Sequence, residues 1–327
     1  MDVSQFCAST RLFIVAGKGG VGKTTVTAAL ARTAAKAGLT ALIVEIEGKS
    51  GLGAVFGRTD ALTYEEVLLS AGGGPGGAAD ITARTLTPDD ALIEYLEDHG
   101  MRRISKRLAN SGALDVVSTA VPGIKDILVL GKIKQLERSG VADLIIVDAP
   151  AAGHAITFLT SAQGLLDAAR VGPIRTQAQD VVDLLSDPDR CQVLLVTLAE
   201  ETPVNEVVET AFALEDRVGI KLAPVIVNGV YPRLEGLDED PAALATEQGF
   251  RLGKKELTAL RDAADFRRQR QNLQAAQIER LADQLPLPQM RLPFMFSPEI
   301  GPAELELLAD ALAEQMLELP SPRSEAG

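Results

Sequence analysis

Residues 17 to 25 read Gly-Lys-Gly-Gly-Val-Gly-Lys-Thr-Thr, directly after the apolar run Leu12-Phe13-Ile14-Val15-Ala16 and directly before a helix-forming stretch, Val26 to Ala37. No other feature of the chain narrows its fold as much. A strand, a glycine-rich turn matching G-x-x-x-x-G-K-[ST] and a helix, in that order, describe a phosphate-binding loop. Glycine lets the backbone turn tightly enough for successive N–H groups to converge on phosphate oxygens at a helix start. Gly17, Gly19, Gly20, Val21 and Gly22 form that cradle, and Lys23, Thr24 and Thr25 stand at the helix entry. Lys23 suits the β- and γ-phosphates, and the Thr24 hydroxyl suits Mg²⁺. Lys18, beside the first glycine, then needs a different task.

The rest of the chain repeats the alternation that the loop begins. β-rich apolar runs recur at Leu12–Ala16, Ala41–Glu45, Ile81–Leu86, Val116–Ser118, Leu144–Val147, Val193–Thr197, Ala223–Asn228 and Arg291–Phe294. Helical patterns fill much of the intervening chain, at 88–110, 124–138 and 254–284, and another follows the last run at 303–319. Continuous apolar strands between helices predict an α/β fold, a mostly parallel central sheet of about seven or eight strands with helices on both faces. Residues 1–319 read as one domain with helical subregions at 88–138 and 155–190, and 320–327 as a disordered tail. AGGGPGGAA, at 71–79, reads as a mobile loop within that domain. Arg267, Arg268 and Arg270 read as the solvated face of the 254–284 helix.

Composition removes several classes of partner. With aromatics at 4% and no tryptophan, the core must be aliphatic, as parallel strands under helices require. A net charge of −13 argues against nucleic acid or an anionic lipid surface as the main partner. The two cysteines, Cys7 and Cys191, make neither a disulfide framework nor a paired metal motif. Without a signal sequence or an apolar stretch of about 20 residues, the expected location is the cytoplasm.

Further chemistry lies at strand ends, where open parallel sheets bind ligands. Leu144–Val147 ends in Asp148, a carboxylate suited to holding Mg²⁺ through water. Ala149-Pro150-Ala151-Ala152-Gly153-His154 follows, a small-residue segment able to rearrange with the γ-phosphate. His154 by itself reads as a local packing or hydrogen-bonding group. Glu45 and Glu47 share one side of the second strand by two-residue alternation, and either could orient an attacking water. Asn228 ends a strand without the lysine and aspartate of a guanine site, so ATP is favoured over GTP.

Together these motifs resemble the arsenite-pump and tail-anchored-protein-targeting ATPases, within the deviant phosphate-loop group. The similarity runs from about Arg11 to Leu319. Asp148 to His154 is similar to the family's second switch, D-T-A-P-T-G-H. Glu201 to Glu206 resembles its E-T-P-V-x-E stretch, and Pro122-Gly123-Ile124 its P-G-x-x-E helix start, with Asp126 in place of glutamate. Asn228, Pro293 and Phe294 fit its adenine-contacting strand end and loop. The resemblance implies a homodimer, or a heterodimer with a paralogue, closing over two ATP molecules. It implies that Lys18 reaches the partner's nucleotide.

Departures from the family narrow the expectation. The first switch, usually D-P-A-H, reads Glu47-Gly48-Lys49-Ser50, so Glu47 stands where an aspartate would position water and hydrolysis is expected to be slow or partner-dependent. Neither a zinc nor an arsenite site is expected, because the cysteines that build them are missing. The expected function is a Mg²⁺-dependent ATPase acting as an ATP-gated switch on a protein client or membrane partner. The alternatives are a weakly hydrolysing scaffold subunit of a heterodimer and a partition- or septum-positioning ATPase. The acidic last helix disfavours membrane binding by the latter.

Overall fold

The computed structural model describes residues 1–46, 51–73, 77–98, 100, 123–168 and 171–320. Glu47 to Ser50, the strand expected at Val116–Ser118, the end of the 88–110 helix and the tail from 321 lie outside the described residues.

The first half comprises α1 (Val3–Cys7), β1 (Leu12–Gly17), α2 (Lys23–Lys36), β2 (Ala41–Ile46), α3 (Leu52–Val55), β3 (Val67–Ser70), β4 (Ile81–Leu86) and α4 (Pro88–Asp98). There follow α5 (Ile124–Ser139), β5 (Leu144–Ala151), α6 (Ala152–Ala168), α7 (Pro173–Ser186), β6 (Cys191–Leu198) and α8 (Glu201–Val218). The last elements are β7 (Lys221–Leu222), β8 (Val225–Val230), α9 (Pro241–Glu247), α10 (Lys254–Gln284), β9 (Gln289–Pro293) and α11 (Pro302–Glu318).

One nine-stranded sheet runs β3-β4-β2-β5-β1-β6-β8-β9, with β7 alongside β6. Every pairing is parallel except the edge pair β3–β4, which is antiparallel. The expected mostly parallel sheet with helices on both faces is the observed one. Two strands that the apolar pattern did not reveal are β3, whose side chains are only half-buried, and the two-residue β7. Short or half-exposed strands have no continuous apolar run, so they leave no such signal.

Alternation along β1 explains how two layers of helix attach. Leu12, Ile14 and Ala16 face one core, shared with α5, α6, α7, α8 and the last part of α10. Phe13 and Val15 face the other, shared with α1, α2 and α11. On α2 the buried residues include Ala28, Ala29, Ala31, Ala34 and Ala35, whose small side chains let the helix lie close between sheet and α11. The acidic face of α11 finds counter-charges there, Glu306 on Arg32 and Asp310 on Lys36. Parallel pairing brings the C-terminal ends of β1, β2, β5, β6, β8 and β9 to one edge of the sheet.

Candidate active site

The turn leaving β1 is built around glycines that cannot be replaced cheaply. A Cβ on Gly17 would lie 2.3 Å from the Val196 carbonyl oxygen of neighbouring β6. Gly22 has φ +88°, the left-handed region, and a Cβ there would meet the Asn228 amide at 2.3 Å. From Gly22 the chain enters α2, and the Val26 N–H closes the first turn on the Gly22 carbonyl at 2.9 Å. Lys18, Gly19 and Gly20 are exposed, whereas Val21 and Lys23 are buried. The Lys23 ammonium folds back over the loop and donates to the Lys18 carbonyl at 3.0 Å. This is a cationic, N–H-rich cradle at a helix start, the arrangement that binds phosphate.

Asp148 is fully buried near the end of β5, in register with Val15 of β1 and Glu45 of β2. Thr24, in the first turn of α2, donates its hydroxyl to the Asp148 carboxylate at 2.6 Å. The loop threonine and the strand aspartate, 124 positions apart in sequence, are thus brought into direct contact. Glu45 is also buried and accepts a hydrogen bond from the Thr85 hydroxyl of β4 at 3.2 Å. Its position on β2 matches Asp148 across the sheet, so both carboxylates stand on the α2 face. Glu47 lies outside the described residues.

At the other end of the cradle, Asn228 of β8 donates its amide N–H to the Val21 carbonyl at 2.9 Å. It therefore ties the phosphate loop to the strand expected to border the base. Gln274 of α10, buried to 4%, clamps the same strand end: it donates to the Gly229 carbonyl at 3.0 Å and accepts from the Tyr231 N–H at 2.8 Å. Phe294, just past Pro293, packs edge-on against Tyr231 with ring centroids 4.8 Å apart. His154 is exposed on the first turn of α6.

Comparison with known proteins gives this geometry a family. The model of the anion-transporting ATPase family matches residues 10–169, which contain the loop, Asp148 and the segment after it. The ATPase BagA of Mycobacterium tuberculosis is 32% identical over 326 residues, covering 94% of each chain. The chain belongs to the anion-transporting ATPase family.

Two further relatives match less of the chain. An arsenical pump-driving ATPase of Escherichia coli is 29% identical over 71% of this chain and 41% of its own. An ATPase get3 of Schizosaccharomyces japonicus is 27% identical over 46% of this chain and 44% of its own. As an anion-transporting-family ATPase, the chain hydrolyses ATP. Membership implies ATP binding and usually Mg²⁺. The residues fit that ion: the Thr24 hydroxyl and Asp148 carboxylate are hard oxygen donors held together on adjoining elements. Among the described residues no group of three or more His, Cys, Asp or Glu forms a metal cage. Mg²⁺ commonly needs none, taking one or two protein oxygens with substrate phosphates and water. Among the described residues no helix is long and apolar enough to cross a membrane.

Two residues that contact the loop and the end of β8 had no sequence signal sufficient to find them. Glu206, on α8, carries the ion pair to Lys18; its glutamate was visible within a motif, but not its partner. Gln274 is a polar residue inside a long charged helix, and only the fold shows that it faces inward. Arg267 corrects the reading of its helix face as solvated. It is half-buried, with its guanidinium 4.4 Å from the Tyr231 ring centroid and 5.1 Å from that of Phe296.

Proposed function

We propose that this ATPase works as a nucleotide-gated dimer, in which ATP closes two subunits over two nucleotides and hydrolysis releases them. The observation that carries the reading is the division of labour between two lysines five residues apart, at the second and seventh positions of the loop. Lys23 is buried and turned over the cradle, whereas Lys18 is 44% exposed and, among the described residues, its ammonium is held by Glu206. An exposed ion pair of this kind is worth about 1 kcal/mol or less. A polyphosphate on a neighbouring subunit would compete for Lys18 with several charged oxygens at once. Lys18 is therefore free to exchange an internal partner for an external one at small cost.

Within one subunit, Lys23 and the loop N–H groups bind the phosphates, and Thr24 with Asp148 holds Mg²⁺. The ion, when bound, supplies charge neutralisation at the β- and γ-phosphates. Asn228, Pro293 and Phe294 border the adenine. Glu47 orients the attacking water. Its extra methylene relative to aspartate moves the carboxylate on the scale of an ångström, where a misplacement costs about a hundredfold in rate, so turnover alone is slow. The mechanical output acts on a protein client or a membrane partner.

Lys18→Ala tests the central step. ATP turnover should fall by about tenfold or more while ATP affinity of the isolated chain stays within about twofold, since Lys18 meets the other subunit's nucleotide. Turnover per chain should also rise with chain concentration in the wild type. Unchanged turnover in Lys18→Ala, or the same specific rate at every concentration, would contradict the dimer.

A further inference from the structure

Away from the phosphate loop, residues 231–253 leave β8, form α9 and fold over the first half of α10. Between them lies a cavity of about 640 Å³. Its wall is nearly all hydrocarbon, with Leu237, Leu244, Ala245, Leu252 and Ala264 inside. Around it stand five large apolar side chains with much of their surface in water: Leu234 at 50%, Phe250 at 67%, Leu260 at 46%, Phe266 at 63% and Phe296 at 70%. None belongs to the buried cores on the two sheet faces. Apolar surface left open around a concave pocket marks a binding site more often than a packing fault.

Two charged residues line the cavity, exposed Glu239 and half-buried Arg267, and the other arginines of this part of α10 are already paired. Arg261 is neutralised by Asp240 at 2.7 Å, Arg268 by Asp238 at 2.9 Å and Asp265 at 2.6 Å, and Arg270 by Glu200 at 3.0 Å. Arg267, which lines the cavity, has no carboxylate partner among the described residues. It is stacked on Tyr231 and Phe296, and donates to the Pro232 carbonyl at 2.7 Å. Its Nε is shielded from solvent and makes no hydrogen bond among the described residues. A guanidinium without a carboxylate partner, set in an apolar wall, is stabilised when an anion joins it from the cavity. One cation matches one negative charge, a carboxylate, better than a phosphate dianion that would need further donors.

We propose that this cavity binds a small amphiphilic carboxylate: a hydrocarbon body lying along α9 and α10, with its carboxylate on Arg267. The volume falls within the roughly 300–1,000 Å³ typical of small-molecule sites. The site does not depend on the dimer described above. It does border the base end of the nucleotide site, because Tyr231 touches Arg267, Phe296 and Phe294 together.

The test is calorimetric titration of the full chain with decanoate below its micelle concentration, beside decanol as the uncharged control. One decanoate should bind per chain, about tenfold or more tighter than decanol, a difference that Arg267→Gln removes. Ala264→Phe fills the cavity from the α10 side and should abolish binding while leaving the circular dichroism spectrum unchanged. The proposal fails if decanoate does not saturate, if decanol binds equally well, or if folded Ala264→Phe binds like the wild type. It also fails if folded Arg267→Gln binds decanoate as tightly as the wild type, because the carboxylate would then not lie on Arg267.

Discussion

Lys23 and Asp148 are buried at the phosphate end of the site, and hydrogen bonds from loop, helix and strand leave them little freedom. At the proposed base end, Phe294 and Phe296 are 39% and 70% exposed, and Tyr231 is held through side chains of a distant helix. The first region is over-determined by sterics: glycines fit where no Cβ can, and a threonine meets an aspartate across two elements. The second rests on aromatic contacts and one glutamine. The phosphate end is thus suited to chemistry that tolerates no displacement, and the base end to adjustment. That difference predicts where mutation should cost catalysis and where it should cost affinity.

The largest effect should come from the phosphate end. Lys23→Ala or Asp148→Asn should lower the ATP hydrolysis rate by about a hundredfold or more, because in the proposed mechanism Lys23 stabilises the phosphate charge directly and Asp148 does so through the Mg²⁺ it would hold. Steady-state turnover checks this, and a loss under tenfold would break the contrast between the two ends. A smaller effect belongs to the base end. Gln274→Leu strands the Gly229 carbonyl and the Tyr231 N–H, each costing about 1–3 kcal/mol if they stay unpaired. Thermal unfolding should show that loss, and the ATP Kd should rise while the single-turnover rate at saturating ATP stays close to wild type.

How much of this was legible beforehand follows the same division. The loop, Asp148 and the parallel sheet could be read because their constraints are local: a glycine spacing, an apolar run, a carboxylate at its end. Asn228 was legible as a strand-end amide, though not its bond to Val21 across 207 positions. Gln274, the Tyr231–Phe294–Phe296 cluster and the stacking of Arg267 depend on contacts between segments far apart in the chain, and residue type alone does not signal them. β3 and β7 escaped for a related reason, one being half-exposed and the other two residues long.

The smallest effect should be at Glu206. Its pair with Lys18 is open to solvent, so Glu206→Gln should release about 1 kcal/mol or less, raising turnover by no more than about fivefold. A loss of activity instead would mean that Glu206 orders Lys18 for catalysis rather than parking it.

The direct test of the dimer is complementation. Lys18→Ala and Lys23→Ala, each deficient alone, are mixed in equal amounts and assayed for ATP hydrolysis. If Lys18 acts on the partner's nucleotide, each mixed dimer contains one complete site, and activity should recover to about a quarter of wild type. If Lys18 acts only within its own subunit, the Lys23→Ala chain cannot repair the other, and the mixture will be no more active than the average of its components.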